Sequence, residues 1–403
     1  FKGVNNGSLA FADIDGDNDQ DVLITGTSNG SQGSSILYTN DGNGNFDLAT
    51  DTTLDGVFIS SIAFADVDGD NDEDVLISGE SNSNTNPLIS KLYVNDGSGN
   101  FTEKTGTPFD GINDGSVAFA DVDGDNDQDI IITGLKDAVP IERISKLYIN
   151  DGAGNFTVKS SPFEDVKASS VGFADVDNDN AEDLLISGEG SSGRITKLYI
   201  NDGNGQFTEE PNTPFEDVSA GSLAFADVDG DNDLDVLIAG GDESFVRTAK
   251  LYINDGSGSF AEKSGTPFKG ALNGSISFAD VDGDNDEDVL ITGWSPSGDI
   301  STLYLNDEVV STSYKKYKTE QGITAFPNPC HLNTIRINYA VNKSGQLWIK
   351  LFDLNGRLIN QKYTRAKLGD HQLNLDVSEL DRGIYFIEFH DGITMKSGKF
   401  VKL

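Results

Sequence analysis

The chain has 403 residues, with 67 Asp+Glu against 28 Lys+Arg and a formal net charge of −39. A charge of that sign excludes electrostatic binding to nucleic acid, which needs basic surface against phosphate. No run of about 18 apolar residues is present to form a transmembrane helix, and a single cysteine, Cys330, excludes an intramolecular disulfide framework.

The charge divides near residue 310. Residues 1–310 hold 14 Lys+Arg and 59 Asp+Glu, a balance of −45, whereas residues 311–403 hold 14 and 8, a balance of +6, together with all three histidines (His331, His371, His390). The length fits two or three average domains, or one repeat array with an appendage. The chain begins at Phe1 with no initiator Met, which leads to the expectation of a processed product or a fragment.

The first part is a repeat. The string Phe-Ala-Asp recurs with its Asp at Asp13, Asp66, Asp121, Asp175, Asp227 and Asp280. Each unit runs from a short apolar segment such as Ser-Val-Ala-Phe-Ala through an Asp-rich loop to Asp-Val-Leu-Ile-Thr-Gly. A variable loop follows, then Lys-Leu-Tyr-Ile-Asn-Asp-Gly, a Gly-rich turn and Asn-Phe-Thr-Glu-Lys. Short apolar runs broken by Asp-Gly and Gly-rich turns predict strands rather than helices. Four strands in about 53 residues make one antiparallel blade, which must pack face to face with its copies. The predicted fold is all-β, a β-propeller with six visible blades over residues 1–310; a flat solenoid is the alternative. Phe1-Lys2-Gly3-Val4 matches Phe268-Lys269-Gly270-Ala271, the stretch after a fourth strand, so the chain is expected to start just past such a strand. Val309–Ser313 is the candidate outer strand of the sixth unit, and closure at six or seven blades stays open.

The loop Asp-x-Asp-Gly-Asp-Asn-Asp-x-Asp sets out candidate metal ligands at positions 1, 3, 5, 7 and 9. They are Asp13, Asp15, Asp17, Asp19 and Asp21 in the first unit, and Asp66, Asp68, Asp70, Asp72 and Asp74 in the second. The third has Asp121, Asp123, Asp125, Asp127 and Asp129, and the fourth Asp175, Asp177, Asp179, Ala181 and Asp183. The fifth has Asp227, Asp229, Asp231, Asp233 and Asp235, and the sixth Asp280, Asp282, Asp284, Asp286 and Asp288. Four or five carboxylates in one tight loop repel one another without a cation. A hard ion with six to eight oxygen ligands suits them, and Ca²⁺ tolerates irregular geometry best. Gly at position 4 and Asn at position 6 both tolerate positive φ. Ala181 at position 7 fits a position that supplies only its backbone carbonyl. Ile24, Ile77 and Ile132 at position 12 exclude an EF-hand, which needs Glu there. About six structural Ca²⁺ are expected; a solvated acidic turn without metal is the alternative.

With these residues in view, the repeat resembles the FG-GAP or VCBS family, whose calcium-loop blades build integrin-type and lectin-type propellers. The family's usual Gly at position 6 is Asn here. The resemblance implies extracellular adhesion or carbohydrate binding more often than catalysis.

Residues 1–310 contain no His and no Cys, so His-based triads and Zn sites are impossible within the ring. All three of its arginines, Arg143, Arg194 and Arg247, lie three residues before a Lys (Lys146, Lys197, Lys250) at equivalent places in consecutive units. They are candidates for an anionic ligand such as a uronic or sulfated glycan, because guanidinium forks match carboxylate and sulfate. Pairing with neighbouring carboxylates is the alternative. Trp294 in the same variable loop is a candidate for stacking on a sugar.

Residues 311–322 read as a polar, basic linker. Alternating runs at Thr334–Ala340, Gln346–Phe352, Arg357–Gln361, Gln372–Val377, Ile384–His390 and Lys399–Leu403 predict a small Ig-like β-sandwich over 323–403. Phe326-Pro327-Asn328-Pro329, Leu351-Phe352-Asp353-Leu354-Asn355-Gly356-Arg357, Leu380-Asp381-Arg382-Gly383-Ile384-Tyr385-Phe386 and the terminal Lys399-Phe400-Val401-Lys402-Leu403 resemble the type A sorting domain of the Bacteroidota type IX secretion system. The family usually has Tyr where Phe326 stands. The resemblance implies that the type IX machinery acts on 323–403, with export to the outside of the cell or to the outer-membrane surface. The sequence reading is therefore a secreted or surface-anchored, Ca²⁺-stabilised propeller that binds glycan or protein. A polysaccharide lyase or hydrolase on the same ring, and a passive surface spacer, are the alternatives.

Overall fold

The computed structural model describes residues 1–306 except 29–31, 51, 84–86 and 285. Within 318–402 it describes all but 320–323, 327, 329, 331–333, 342–344, 353–356, 368, 379, 381 and 391–393. The chain divides into two compact units, Phe1–Glu308 and Val309–Leu403. Among the described residues no helix is long and apolar enough to cross a membrane.

In the first unit each repeat forms an antiparallel sheet with its strands in chain order. The first blade is Leu9–Ala12, Asp21–Thr27, Gly33–Asn40 and Phe46–Leu48, and the second Val57–Ala65, Asp74–Ser81, Leu88–Asn95 and Phe101–Glu103. The third is Asn113–Ala120, Asp129–Ala138, Ile141–Asn150 and Phe156–Lys159, and the fourth Lys167–Ala174, Asp183–Glu189, Arg194–Asn201 and Phe207–Glu209. Ser219–Ala226, Asp235–Gly241, Arg247–Asn254 and Phe260–Glu262 form the fifth; the sixth has Ile276–Ala279, Asp288–Ser295 and Gly298–Tyr304 among the described residues. The outer strand expected at 309–313 lies outside them.

The second strand of a blade is apolar without alternation because both of its faces are covered: Val75, Leu76 and Ile77 are completely buried. Ile14, Leu23 and Leu37 of the first blade pack on Ile62, Val75, Ile77 and Tyr93 of the second, and four further cores join the later blades in the same way. This is the face-to-face packing of a β-propeller. At the two ends of the array the same positions are open. Leu9 is 59% exposed where Ile62 is 8%, and Leu303 is 48% exposed where Leu92 is fully buried. The segment leading into the third, fourth and fifth blades is fixed by an aromatic trio. Phe109 meets Tyr148 edge-on at 5.0 Å and Phe156 at 5.2 Å, and the Tyr148 hydroxyl accepts the Asp110 N–H; Phe163 with Tyr199, and Phe215 with Tyr252, repeat the arrangement.

Polar fasteners complement the apolar cores. From the second blade on, the Asn at the end of the third strand sends its side-chain amide to a carbonyl in the preceding blade. Asn95 donates to Ile14 O, Asn150 to Val67 O, Asn201 to Val122 O and Asn254 to Val176 O, each at 2.8 Å, and Asn306 donates to Val228 O at 2.7 Å.

The second unit is a β-sandwich. One sheet runs, in spatial order, Lys318–Thr319, Thr394–Lys402, Gly383–His390, Gly345–Phe352, Leu358–Ala366; the other is Thr324–Phe326, Thr334–Val341 and Gly369–Asp376. Ile335, Ile337, Leu347, Ile349, Ile387 and Phe400 form its core. Two strands are longer than their apolar pattern suggests. Thr394–Lys402 starts five residues before the expected Lys399, because Met395 to Gly398 pair with Ile387 to His390 although Ser397 and Gly398 interrupt the alternation. Leu358–Ala366 continues past Gln361 along the whole of Gly345–Phe352. Lys318–Thr319, inside the stretch read as a linker, pairs in parallel with Thr394 and Met395. Residues 353–356 and 391–392, which lie between the expected runs, are outside the described residues.

Asn150→Ala removes the donor to a buried carbonyl of the neighbouring blade and is expected to cost about 2 kcal/mol. Asn43→Ala, on an exposed turn, should change stability by less than about 0.5 kcal/mol. Equal shifts of the two variants in chemical denaturation would contradict the fastening role.

Candidate metal centres

Each Asp-rich loop joins the first strand of a blade to the second, and in the first five loops the backbone is bent twice into the left-handed region. Gly16 and Asn18 have φ of 77° and 68°, Gly69 and Asn71 of 78° and 70°; Asn178 takes the glycine's place in the fourth loop at 62°. This is the turn chemistry that the sequence expected at positions 4 and 6.

The carboxylates divide by task. Position 1 organises the loop: Asp66 Oδ1 accepts the N–H of Gly69 at 2.8 Å, and its Oδ2 that of Asn71 at 2.9 Å. Position 5 accepts the N–H of position 7, as Asp70 does from Asp72 at 3.0 Å. Position 9 is buried in all six loops, at no more than 1% exposure. Asp74 Oδ2 accepts the Val67 N–H at 3.1 Å and Oδ1 the Asn95 N–H at 2.8 Å, tying the loop to the third strand. Position 3 is different. The Oδ1 atoms of Asp15, Asp68, Asp123, Asp177 and Asp229 are buried and have no hydrogen-bond partner. The next blade's Gly-rich turn covers these residues, with Gly205 against Asp123 and Gly258 against Asp177. Asp282, in the sixth loop, is exposed.

These oxygens converge. One carboxylate oxygen from each of Asp13, Asp15 and Asp17 lies within 4.8 Å of the others, as does one from each of Asp66, Asp68 and Asp70. In the later loops the groups are Asp121, Asp123 and Asp129; Asp175, Asp177 and Asp183; and Asp227, Asp229 and Asp235. An orphaned, buried oxygen recurring at one position of five loops, beside other carboxylates, is the donor set of a hard cation. The residues present therefore fit the metal that the loop implies. Position 7 is placed differently. Asp19, Asp72, Asp127 and Asp233 lie against Gly42, Gly97, Gly152 and Gly256 of their own blade's turn, where a Cβ would have no room, and none of them belongs to the groups just named; Ala181 occupies the same place without a carboxylate.

Burial and then neighbouring carboxylates raise the Asp15, Asp68, Asp123, Asp177 and Asp229 carboxyls above the ordinary range. At position 9 burial outweighs the two backbone donors. It pushes Asp74, Asp129 and Asp183 up to about 7 and Asp235 up to about 6.

The arginines reach from blade to blade. Arg143 Nη2 pairs with Glu189 of the fourth blade at 3.0 Å. The Arg194 guanidinium lies 4.5 Å from the centre of the Phe245 ring, and that of Arg247 lies 3.7 Å from Trp294. Phe245 is 77% and Trp294 51% exposed. Among the described residues neither Arg194 nor Arg247 makes an ion pair. The neighbouring lysines are neutralised: Lys146 by Asp110, Lys197 by Glu164 and Glu209, Lys250 by Glu216 and Glu262. The sector is thus two stacked guanidinium–aromatic pairs rather than a row of open Arg–Lys pairs. Sequence reasoning missed Phe245 as a stacking partner, and it missed the amide role of Asn95 and its equivalents, although that Asn recurs in every unit.

A model of the FG-GAP-like repeat family matches residues 13–77, 73–132, 175–238 and 227–291, and one of the secretion-system C-terminal sorting domain matches residues 324–403. Among solved structures the chain is similar to a gluconolactonase from Xanthomonas campestris at 12% identity, over 72% of this chain and 84% of that one, with a TM-score of 0.40. It is also similar to a thermostable family-43 glycoside hydrolase at 11% identity, over 64% and 93%, with a TM-score of 0.34. A biofilm-associated protein domain matches at 10% identity over 99% and 96%, with a TM-score of 0.16. At such scores these likenesses assign no activity. No curated protein matches.

The raised carboxyls set a pH dependence for the metal-free protein. Their folded-state values lie above the ordinary 3.8, so the stability they contribute is complete below about pH 4 and is lost as the pH rises through about 6 to 7. Thermal melts in chelator are expected to show a falling melting temperature over that range, and added divalent cation should reverse the fall. A metal-free melting temperature that rises from pH 5 to 7 would contradict the assignment.

Proposed function

The chain belongs to the FG-GAP-like repeat family and ends in a secretion-system C-terminal sorting domain, and we propose that it works as a Ca²⁺-stabilised propeller presenting a glycan- or protein-binding surface outside the cell. The sorting domain directs it, through the type IX secretion machinery, to the cell surface or the extracellular space. The observation that carries the calcium reading is the set of five equivalent Oδ1 atoms left buried and unpaired. In the third loop Asp121, Asp123, Asp125 and Asp129 would hold the ion, with equivalent residues in the other loops. Bound Ca²⁺ would supply positive charge against the clustered carboxylates. The chain's own part is to hold those carboxylates in place, through the backbone donors on positions 1, 5 and 9 and the turn of the next blade.

Ligand contact is proposed at Arg194, Arg247 and Trp294, joined by Phe245. Guanidinium groups stacked on exposed rings keep planar donors and apolar ring surface side by side, a combination suited to sugar or peptide surfaces. Arg143 is engaged by Glu189 and is left out of this set. Catalysis has less support, because the first unit offers no His or Cys and its clustered Asp residues are accounted for by the loops.

A screen of the purified full chain against glycans, polysaccharides and surface proteins, run in Ca²⁺ and in chelator, is expected to give binding in Ca²⁺ only. The double variant Arg194→Ala, Arg247→Ala should weaken it at least tenfold while leaving the melting temperature in Ca²⁺ within a few degrees of the parent. Equal binding by parent and variant would exclude this surface.

A further inference from the structure

The five-stranded sheet of the sorting domain has a core face and an open face. On the core side Leu347, Ile349, Leu351, Ile387 and Phe400 are at most 3% exposed. Strand alternation sends Trp348, Lys350 and Phe352 to the opposite face. The register then sets Tyr363 beside Trp348, Gln361 and Glu388 beside Lys350, and Phe386 beside Phe352. Trp348 is 41%, Tyr363 55% and Phe386 39% exposed. The Trp348 and Tyr363 rings meet at 6.2 Å, and Lys350 Nζ lies 6.0 Å from the indole. Lys399, also exposed, stands opposite Phe386, and the exposed Arg365 opposite Gln346 on the same side. The described charged side chains of this face are thus Lys350, Arg365 and Lys399 against Glu388.

Three large aromatic side chains on adjacent strands of one open face are unusual for a surface that meets only water. Trp and Tyr are the residues that most often anchor protein interfaces, and a rim of like-signed charge selects partners of the opposite sign. The selection matters in this chain. The sorting domain and its approach carry +6 while the propeller carries −45, so a carboxylate-rimmed partner attracts the tail and repels the cargo.

We propose that the open face bearing Trp348, Tyr363 and Phe386, rimmed by Lys350 and Lys399, is the surface by which the secretion machinery reads this domain, through a protein partner with an apolar pocket edged by carboxylates. The proposal rests on the sorting-domain reading and adds the face and the chemistry of its partner.

The test is export of the full chain from the native secreting cell. It compares the parent, the aromatic variant Trp348→Ala, Tyr363→Ala, the charge variant Lys350→Glu, Lys399→Glu, and a chain truncated after Gln321. Both face variants are expected to leave at least tenfold more chain inside the cell, with thermal transitions of the purified chains matching the parent. The charge variant keeps every aromatic contact, so it decides the matter should the aromatic variant fail to fold. Export of a folded charge variant at the parent level, with the truncated chain retained, would overturn the proposed face while leaving the sorting role intact. Export of the truncated chain would overturn the sorting role itself. Variants that cross the outer membrane normally but are shed instead of staying surface-attached would also overturn the proposal, because the face would then act after recognition.

Discussion

From the second blade on, each blade is held to itself and to the blade before through one buried carboxylate. The position 9 Asp accepts one N–H from its own loop and one from the Asn that ends its third strand, and that Asn passes its side-chain amide to a carbonyl in the blade before. The apolar cores between blades are broad and non-directional. The Asp–Asn link fixes register, because a shift of one residue would leave a buried carboxylate and a buried carbonyl unpaired. A burial of charge that would otherwise be costly is thereby repeated along the whole array.

The same loops concentrate the problem that a cation would solve. Positions 1 and 5 spend oxygens on backbone donors, position 9 on the strand link, and position 3 keeps an oxygen with no partner under the next blade's turn. The interblade packing that buries this oxygen also raises its carboxyl. Metal binding at these loops, as proposed, would therefore be coupled to blade packing. An ion that neutralises the loop stabilises the interface above it, and an interface that opens exposes the ion to water. In the sixth loop the position 3 residue, Asp282, is exposed instead of covered. Half of the propeller's acidic residues lie in these loops, so about half of what looks like surface charge in its composition is architecture.

The repeat and its loops were legible because the period is fixed and the turn residues leave little conformational choice: Gly at position 4 and Asn at position 6 are what two consecutive left-handed bends require. The tasks of individual carboxylates were not legible. Position 7 reads like positions 3 and 5 in the sequence, yet its carboxylate lies in the space left by a glycine of its own blade's turn. Asn95 and its equivalents read as turn residues because they precede Asp-Gly; their reach into another blade depends on a contact about 80 residues away in the chain. In the sorting domain, Gln346–Phe352 reads as an alternating strand, but Trp348 and Phe352 beside Leu347, Ile349 and Leu351 leave its buried face unmarked in the sequence. Only the packing of the second sheet against Leu347, Ile349 and Leu351 reveals that Trp348 and Phe352 belong to the open side. Arg194 and Arg247 were visible as equivalent positions, but their stacking on Phe245 and Trp294 came from cross-blade geometry.

The central claim is that the loops are cation sites that the fold depends on, and counting bound metal tests it most directly. Native mass spectrometry of the folded full chain, exchanged into millimolar Ca²⁺ and then freed of excess ion, should show about six Ca²⁺ per chain, one per loop, all lost on unfolding. A folded chain that retains no Ca²⁺ under these conditions would contradict the account.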